Sequence, residues 1–235
     1  MIRQVIDQEL TIYGAYCQHI QHLTPRVVFE GKEPPPRREV PEKTEASLAR
    51  TRMNVFRLIS CNVNAHGPYI PTFVTLTYAR NEQNRKVASR ELRYYHMRLA
   101  YEVGLKLKYI AIPEFQKRGA IHYHVVYFNL PFISSQLLEQ KWGQGGTNIK
   151  SLKSVRKIAG YISKYVTKES IDSRHAGSRL LITSQGLLRP TTYINQDVDQ
   201  QLDTLYLTQE SKQSSHNKII TTYVNSSKGS GTRRN

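Results

Sequence analysis

A chain of 235 residues with a formal net charge of +16 and a pI near 9.9 can bury one sizeable core, and its basic excess points to a phosphate-bearing partner. Two cysteines far apart in sequence, Cys17 and Cys61, exclude a disulfide scaffold. No apolar run reaches the length that crosses a membrane, and Arg3, Asp7 and Glu9 do not suit a secretory leader, so a non-secreted, intracellular protein with no membrane partner is expected.

In chain order, residues 1–23 read as a helix, and Pro25 and Pro34-Pro35-Pro36-Arg37-Arg38 through Pro41 as an extended linker. Cys17-Gln18-His19 with His22 invites a zinc reading, but no second half completes such a site. Thr44 to about Val63 reads as a basic helix, Phe73–Tyr78 as a strand with Thr75 and Thr77 on one face, and Val87–Val103 as a second helix. A hairpin over Leu105–Phe128 follows, then a short helix from Ser134, a Gly-rich turn at 143–146, a helix over 154–169 and a last strand over 179–183. The organisation is thus an extension and linker over 1–44, a principal domain over 45–200, and a C-terminal segment over 201–235 whose Ser/Gly/Lys/Arg-rich tail from Ser226 is expected to be disordered. The order β, α, β, β, α indicates an α+β fold, an antiparallel sheet backed by helices.

The most informative stretch is Ile121-His122-Tyr123-His124-Val125-Val126-Tyr127-Phe128. Alternation along a strand sends His122 and His124 to one face and Tyr123 to the other. On spacing alone the pair fits a metal site or two half-exposed polar residues about equally. A three-residue loop of Lys117, Arg118 and Gly119 would supply the left-handed glycine that such hairpins need and would set Glu114 opposite His122. Pro113 suits an edge or a bulge. Two imidazoles and one carboxylate then suit a divalent cation with positions open for substrate, and by ligand type alone zinc or iron would serve too.

In the 154–169 helix, Val155, Ile158, Ala159, Ile162 and Val166 form an apolar stripe, and Tyr161, Lys164, Tyr165 and Lys168 form a second beside it. The unit Tyr-apolar-x-Lys occurs twice, as Tyr161-Ile162-Ser163-Lys164 and Tyr165-Val166-Thr167-Lys168. Taken alone, this pattern is also that of an ordinary amphipathic helix with tyrosines at the core margin. From Leu105 to Lys168 there are eleven Lys and Arg against two acids, one of which is Glu114.

Phe73-Val74-Thr75-Leu76-Thr77, His122-Tyr123-His124 and Gly160-Tyr161-Ile162-Ser163-Lys164-Tyr165, in that order, resemble the three motifs of rolling-circle replication initiators of the HUH endonuclease superfamily, in their two-tyrosine class. Similar proteins serve single-stranded DNA phages and plasmids, and the resemblance spans residues 45–190. It implies a ferredoxin-like or RRM-like palm, with His122, His124 and Glu114 as ligands of one Mg²⁺ or Mn²⁺ ion and Tyr161 and Tyr165 as nucleophiles. Tyr161 is the preferred first attacker because it leads the repeat. The implied activity is site-specific nicking and joining of a single-stranded DNA origin through a 5′-phosphotyrosine, in the cytoplasm of a host cell, with a separate helicase and polymerase of the host or replicon.

Lys164 and Lys168 would position phosphate or favour the phenolate of a hydroxyl whose free pKa is about 10. Lys117, Arg118, Arg156 and Lys157 would hold the DNA backbone. A transposase or mobilisation relaxase with the same chemistry, and a non-catalytic RRM-like binding module, are the alternative readings.

Overall fold

The computed structural model describes residues 2–29, 45–151, 158, 181–205, 207–215 and 217–225. The chain divides into two compact units, residues 1–39 with 189–235, and residues 40–188.

In the first unit, β1 (Ile2–Tyr13), β2 (Tyr16–Phe29), β8 (Thr191–Ile194), β9 (Leu207–Ser215) and β10 (Lys218–Asn225) form an antiparallel sheet in the order β8-β1-β2-β10-β9. The helix expected over residues 1–23 is therefore replaced by a hairpin. Its signal lies in Gly14-Ala15 between two tyrosines: Gly14 has φ +63°, as a two-residue hairpin turn with glycine first requires, and Tyr13 and Tyr16 stack with ring centroids 6.0 Å apart. Pro25, which cannot donate to a ladder, falls where the β1–β2 register jumps between Ile6↔Arg26 and Gln8↔Gln21. Helix α4 (Gln196–Thr204) contributes Val198 to a small core with Leu10 and Cys17. His22 bonds Glu9 at 2.8 Å and His19 bonds Gln8 at 3.0 Å, so these histidines have hydrogen-bond partners other than Cys17.

The second unit carries the motifs and is an α+β fold, as expected. Helix α1 (Glu45–Asn62), strand β3 (Thr72–Thr77), helix α2 (Arg85–Val103), strands β4 (Tyr109–Phe115) and β5 (Ile121–Tyr127), helix α3 (Ser135–Trp142), strand β6 (Thr147–Ser151) and the two-residue strand β7 (Ile182–Thr183) follow one another. The sheet is antiparallel in the order β6-β3-β5-β4-β7. Strand β6, unmarked in the sequence reading, is a five-residue edge that pairs, among the described residues, with β3.

Local signals explain the element ends. The Asn84 side chain accepts from the amides of Lys86 and Val87 and starts α2. Ser134 does the same for α3 through Leu137. Pro113 sits in β4 beyond the short β7 pairing, which reaches only Ile110 and Ala111, so its missing N–H breaks no ladder bond described on that side.

Alternation divides the sheet into two faces. Val74, Leu76, Tyr123, Val125 and Tyr127 pack with Leu92, Tyr95 and Leu99 of α2 and Leu138 and Trp142 of α3. On the other face Phe73, Ile110, Ile112, Val126 and Phe128 pack with Leu48, Val55, Leu58 and Ile59 of α1 and with Ile158.

Candidate functional site

The site grows from the β4–β5 hairpin. Its loop is Lys117-Arg118-Gly119, closed by Gln116 N–H to Ala120 O at 2.9 Å and Gly119 N–H to Gln116 O at 2.7 Å, with Gly119 at φ +92° where a side chain would be strained. The register is the expected one: Glu114 pairs with His122 and Ile112 with His124. Glu114, His122 and His124 therefore project from one face, and Tyr123 points into the core beneath α2, where burial raises its phenol to about 12.

Strand β3 completes the row. Thr77 pairs with His122 and Thr75 with His124. Thr77 Oγ1 lies 3.0 Å from His122 Nε2, and Thr75 Oγ1 lies 3.4 Å from His124 Nδ1. Phe73 stacks on the His124 ring at 5.7 Å between centroids. These contacts were not anticipated as parts of the site. Their signal was the shared face of Thr75 and Thr77, which becomes meaningful only once β3 is registered against β5.

The two histidines have different surroundings. Buried His124 directs Nε2 to Glu114 Oε2 at 2.6 Å. His122 accepts at Nδ1 from the Gln116 amide at 3.0 Å, an orientation set by Arg118, whose Nε donates to Gln116 Oε1 at 3.1 Å. Nε2 of His122 then carries the proton that is directed to Thr77. Burial lowers His122 to about 4, with neighbouring His124 and Arg118 also opposing its charge and Glu114 favouring it. His122 is thus a neutral imidazole near pH 7, the form that ligates a metal.

As a cation site, the three side chains match in chemical kind but are held in hydrogen bonds of their own. Glu114 Oε2 and His124 Nε2 are close enough to serve one ion at bonds of about 2.0–2.2 Å. The His122 nitrogens are turned to Thr77 and Gln116. Accordingly, among the described residues no group of three or more His, Cys, Asp or Glu side chains is arranged to hold a metal ion.

Of the other expected site residues, Lys117 is exposed in the loop. Arg118 is exposed as well, but its guanidinium donates to the carbonyls of Tyr78 and Ala79, tying the loop to the end of β3. Tyr161, Lys164, Tyr165, Lys168, Arg156 and Lys157 lie outside the described residues, as does the tail from Ser226. Ile158, within the helix expected over 154–169, is helical and fully buried among Phe73, Val126 and Phe128, on the histidine face.

Residues 71–170, from the start of β3 through the hairpin and both Tyr-Lys units, match the family model described as replication-associated protein, of the ORF2 and gene-2-protein type. The match covers less than half of the chain and likens this stretch to replication-associated proteins. No curated protein and no solved structure matches the chain significantly. Among the described residues, no helix is long and apolar enough to cross a membrane.

Proposed function

We propose that the chain is a metal-dependent tyrosine endonuclease of the two-tyrosine HUH class, which nicks and rejoins a single-stranded DNA origin to begin rolling-circle replication of a phage or plasmid. The observation that carries this reading is the row of Glu114, His122 and His124 on one face of adjacent antiparallel strands, within the stretch that resembles replication-associated proteins. Support for the tyrosine segment comes from Ile158, its one described residue, which is buried on that same face.

In this reading Glu114, His122 and His124 would hold one Mg²⁺ or Mn²⁺ ion, His122 by exchanging one of its present hydrogen bonds for the ion, and the ion would polarise the nonbridging oxygens of the scissile phosphate. The phenolate oxygen of Tyr161 attacks phosphorus. The new bond joins tyrosine to the 5′ phosphate, and the bond to the 3′ oxygen breaks. That oxygen leaves with the electron pair and is protonated to a free 3′ hydroxyl. Attack by a 3′ hydroxyl on the phosphotyrosine reverses these steps, so joining needs no nucleoside triphosphate. Tyr165 offers a second acceptor, Lys164 and Lys168 favour phenolate and hold phosphate, and Thr77, Thr75 and Gln116 fix the imidazole rings.

The test is a single-stranded origin oligonucleotide labelled on the 3′ side of the nick, incubated with the protein and Mn²⁺ and resolved on a denaturing gel. Label migrating with the protein is expected, and it is expected to vanish in the Tyr161→Phe, Tyr165→Phe double variant. Cleavage without a protein adduct would instead identify a hydrolase and overturn the mechanism.

A further inference from the structure

On the face of the sheet away from the histidines, a cavity of about 600 Å³ opens between α2, β4 and β7. Its side chains fall into two groups. Arg85, Lys86 and Arg93 project from one side of α2, and among the described residues no carboxylate lines the cavity, so its charge suits an anion. Leu92, Ile182 and Tyr109 supply apolar and aromatic surface of the kind that receives a flat ring.

The aromatic wall has an unusual member. His96 is only 6% exposed, lines the cavity, and stacks on Tyr109 with ring centroids 3.7 Å apart and planes 17° apart. Neither of its ring nitrogens has a hydrogen-bond partner among the described residues. Buried polar groups in folded proteins are nearly always paired. The His96 nitrogens are themselves shielded, so His96 lends the cavity ring surface beside Tyr109 rather than hydrogen bonds, and with three cations in the lining the cavity suits a ligand that joins a planar ring to a negative charge.

We propose that this cavity is a nucleotide-binding site, separate from the proposed nicking site. The phosphate lies against Lys86, Arg93 and Arg85, and the base enters with its ring against Leu92, Tyr109 and His96. Tyr109 pairs with Tyr127 on the core-facing side of the sheet, so the ligand is separated from Glu114 and the histidines by the thickness of the strands. The nucleotide is either free or part of a DNA strand that passes beneath α2, and the two sources share this chemistry.

The experiment is equilibrium dialysis of the full chain with radiolabelled dAMP, comparing wild type with Arg93→Glu, Lys86→Glu, His122→Ala and a charge-matched control in the other unit, Lys212→Glu. Saturable binding is expected in wild type, weakened tenfold or more in Arg93→Glu and Lys86→Glu and unchanged in His122→Ala and Lys212→Glu. A short oligonucleotide that displaces dAMP would identify a strand as the source, and one that does not would identify a free nucleotide; either keeps the site. Absent saturable binding, binding indifferent to Arg93→Glu and Lys86→Glu, or displacement by inorganic phosphate at the same concentration as dAMP would overturn it. Because His122→Ala removes the proposed nicking without touching this cavity, failure of one reading is distinguishable from failure of the other.

Discussion

The two faces of the β6-β3-β5-β4-β7 sheet are built from the same strands but present different chemistry. Beneath α2 and α3 the strands offer Val74, Leu76, Tyr123, Val125 and Tyr127 to a continuous core closed by Tyr95 and Trp142. On the reverse, the same strands present Phe73 and Val126 to α1 and then, further along, Thr75, Thr77, His122, His124 and Glu114. A strand with a period of two can therefore anchor a core and carry a reactive row at once, with neighbouring residues in opposite roles. Such a strand is intolerant of register slip, because a shift by one residue would turn the histidines into the core beneath α2 and the tyrosines onto the opposite face.

Substitutions on the two faces should separate stability from chemistry. The largest effect is expected on the core face. Trp142→Ala removes a fully buried ring that meets Tyr78 and Tyr95 edge-on, together with the bond from Nε1 to Thr77 O at 2.9 Å. It should cost about 3–5 kcal/mol in chemical denaturation, and nicking should fall with the folded fraction. An unchanged denaturation midpoint would show that the two faces are not divided in this way.

Acid should also act through buried imidazoles. His96 is lowered to about 3 and His122 to about 4, in both cases mainly by burial. The unfolded chain then binds protons that the native state refuses, so the stabilising share of these groups is complete above about pH 6.5 and declines as the pH falls toward the folded values. At about 1.4 kcal/mol per pKa unit, the two groups contribute nearly equally down to about pH 4.5, and His96 exceeds His122 only below about pH 4. Melting temperatures between pH 7.5 and 4.5 should drop more steeply for wild type than for His96→Leu, and parallel curves would contradict this.

On the histidine face the order reverses. The double variant His122→Ala, His124→Ala should lower adduct formation at least hundredfold, about 2.7 kcal/mol by the rate relation, while leaving the melting temperature within a few degrees. Loss of folding would instead make the pair structural. The smallest effect is expected at the start of α2: Asn84→Ala removes the cap on the amides of Lys86 and Val87 and should cost about 1 kcal/mol in stability, with no change in nicking per folded molecule.

Much of the hairpin was legible because it is local. His122 and His124 share a face by alternation, Gly119 fixes the loop, and a three-residue loop fixes Glu114 opposite His122, so the register followed from residues 114–124 alone. The first twenty-three residues misled for the opposite reason. Ile2, Val5, Ile6, Glu9, Leu10 and Tyr13 fit a helical spacing, and what makes them strands is pairing with β8, far along the chain, and the pairing of β2 with β10. Strand β6 was likewise invisible, since five residues carry little periodicity until β3 is there to bind them.

By itself, then, the sequence determined the alternation that sorts each strand into core and site, the capped ends of α2 and α3, and the chemical kind of the histidine row. The tertiary structure alone decided which threonines orient the histidines, that Gln116 and Arg118 lock His122, and that His96 lies without hydrogen-bond partners among the described residues behind a basic cavity. The reason is one of range. Side-chain direction and turn geometry are fixed by neighbours a few residues apart, but hydrogen bonds such as that between Thr77 and His122 join residues 45 positions apart, and only packing brings them together.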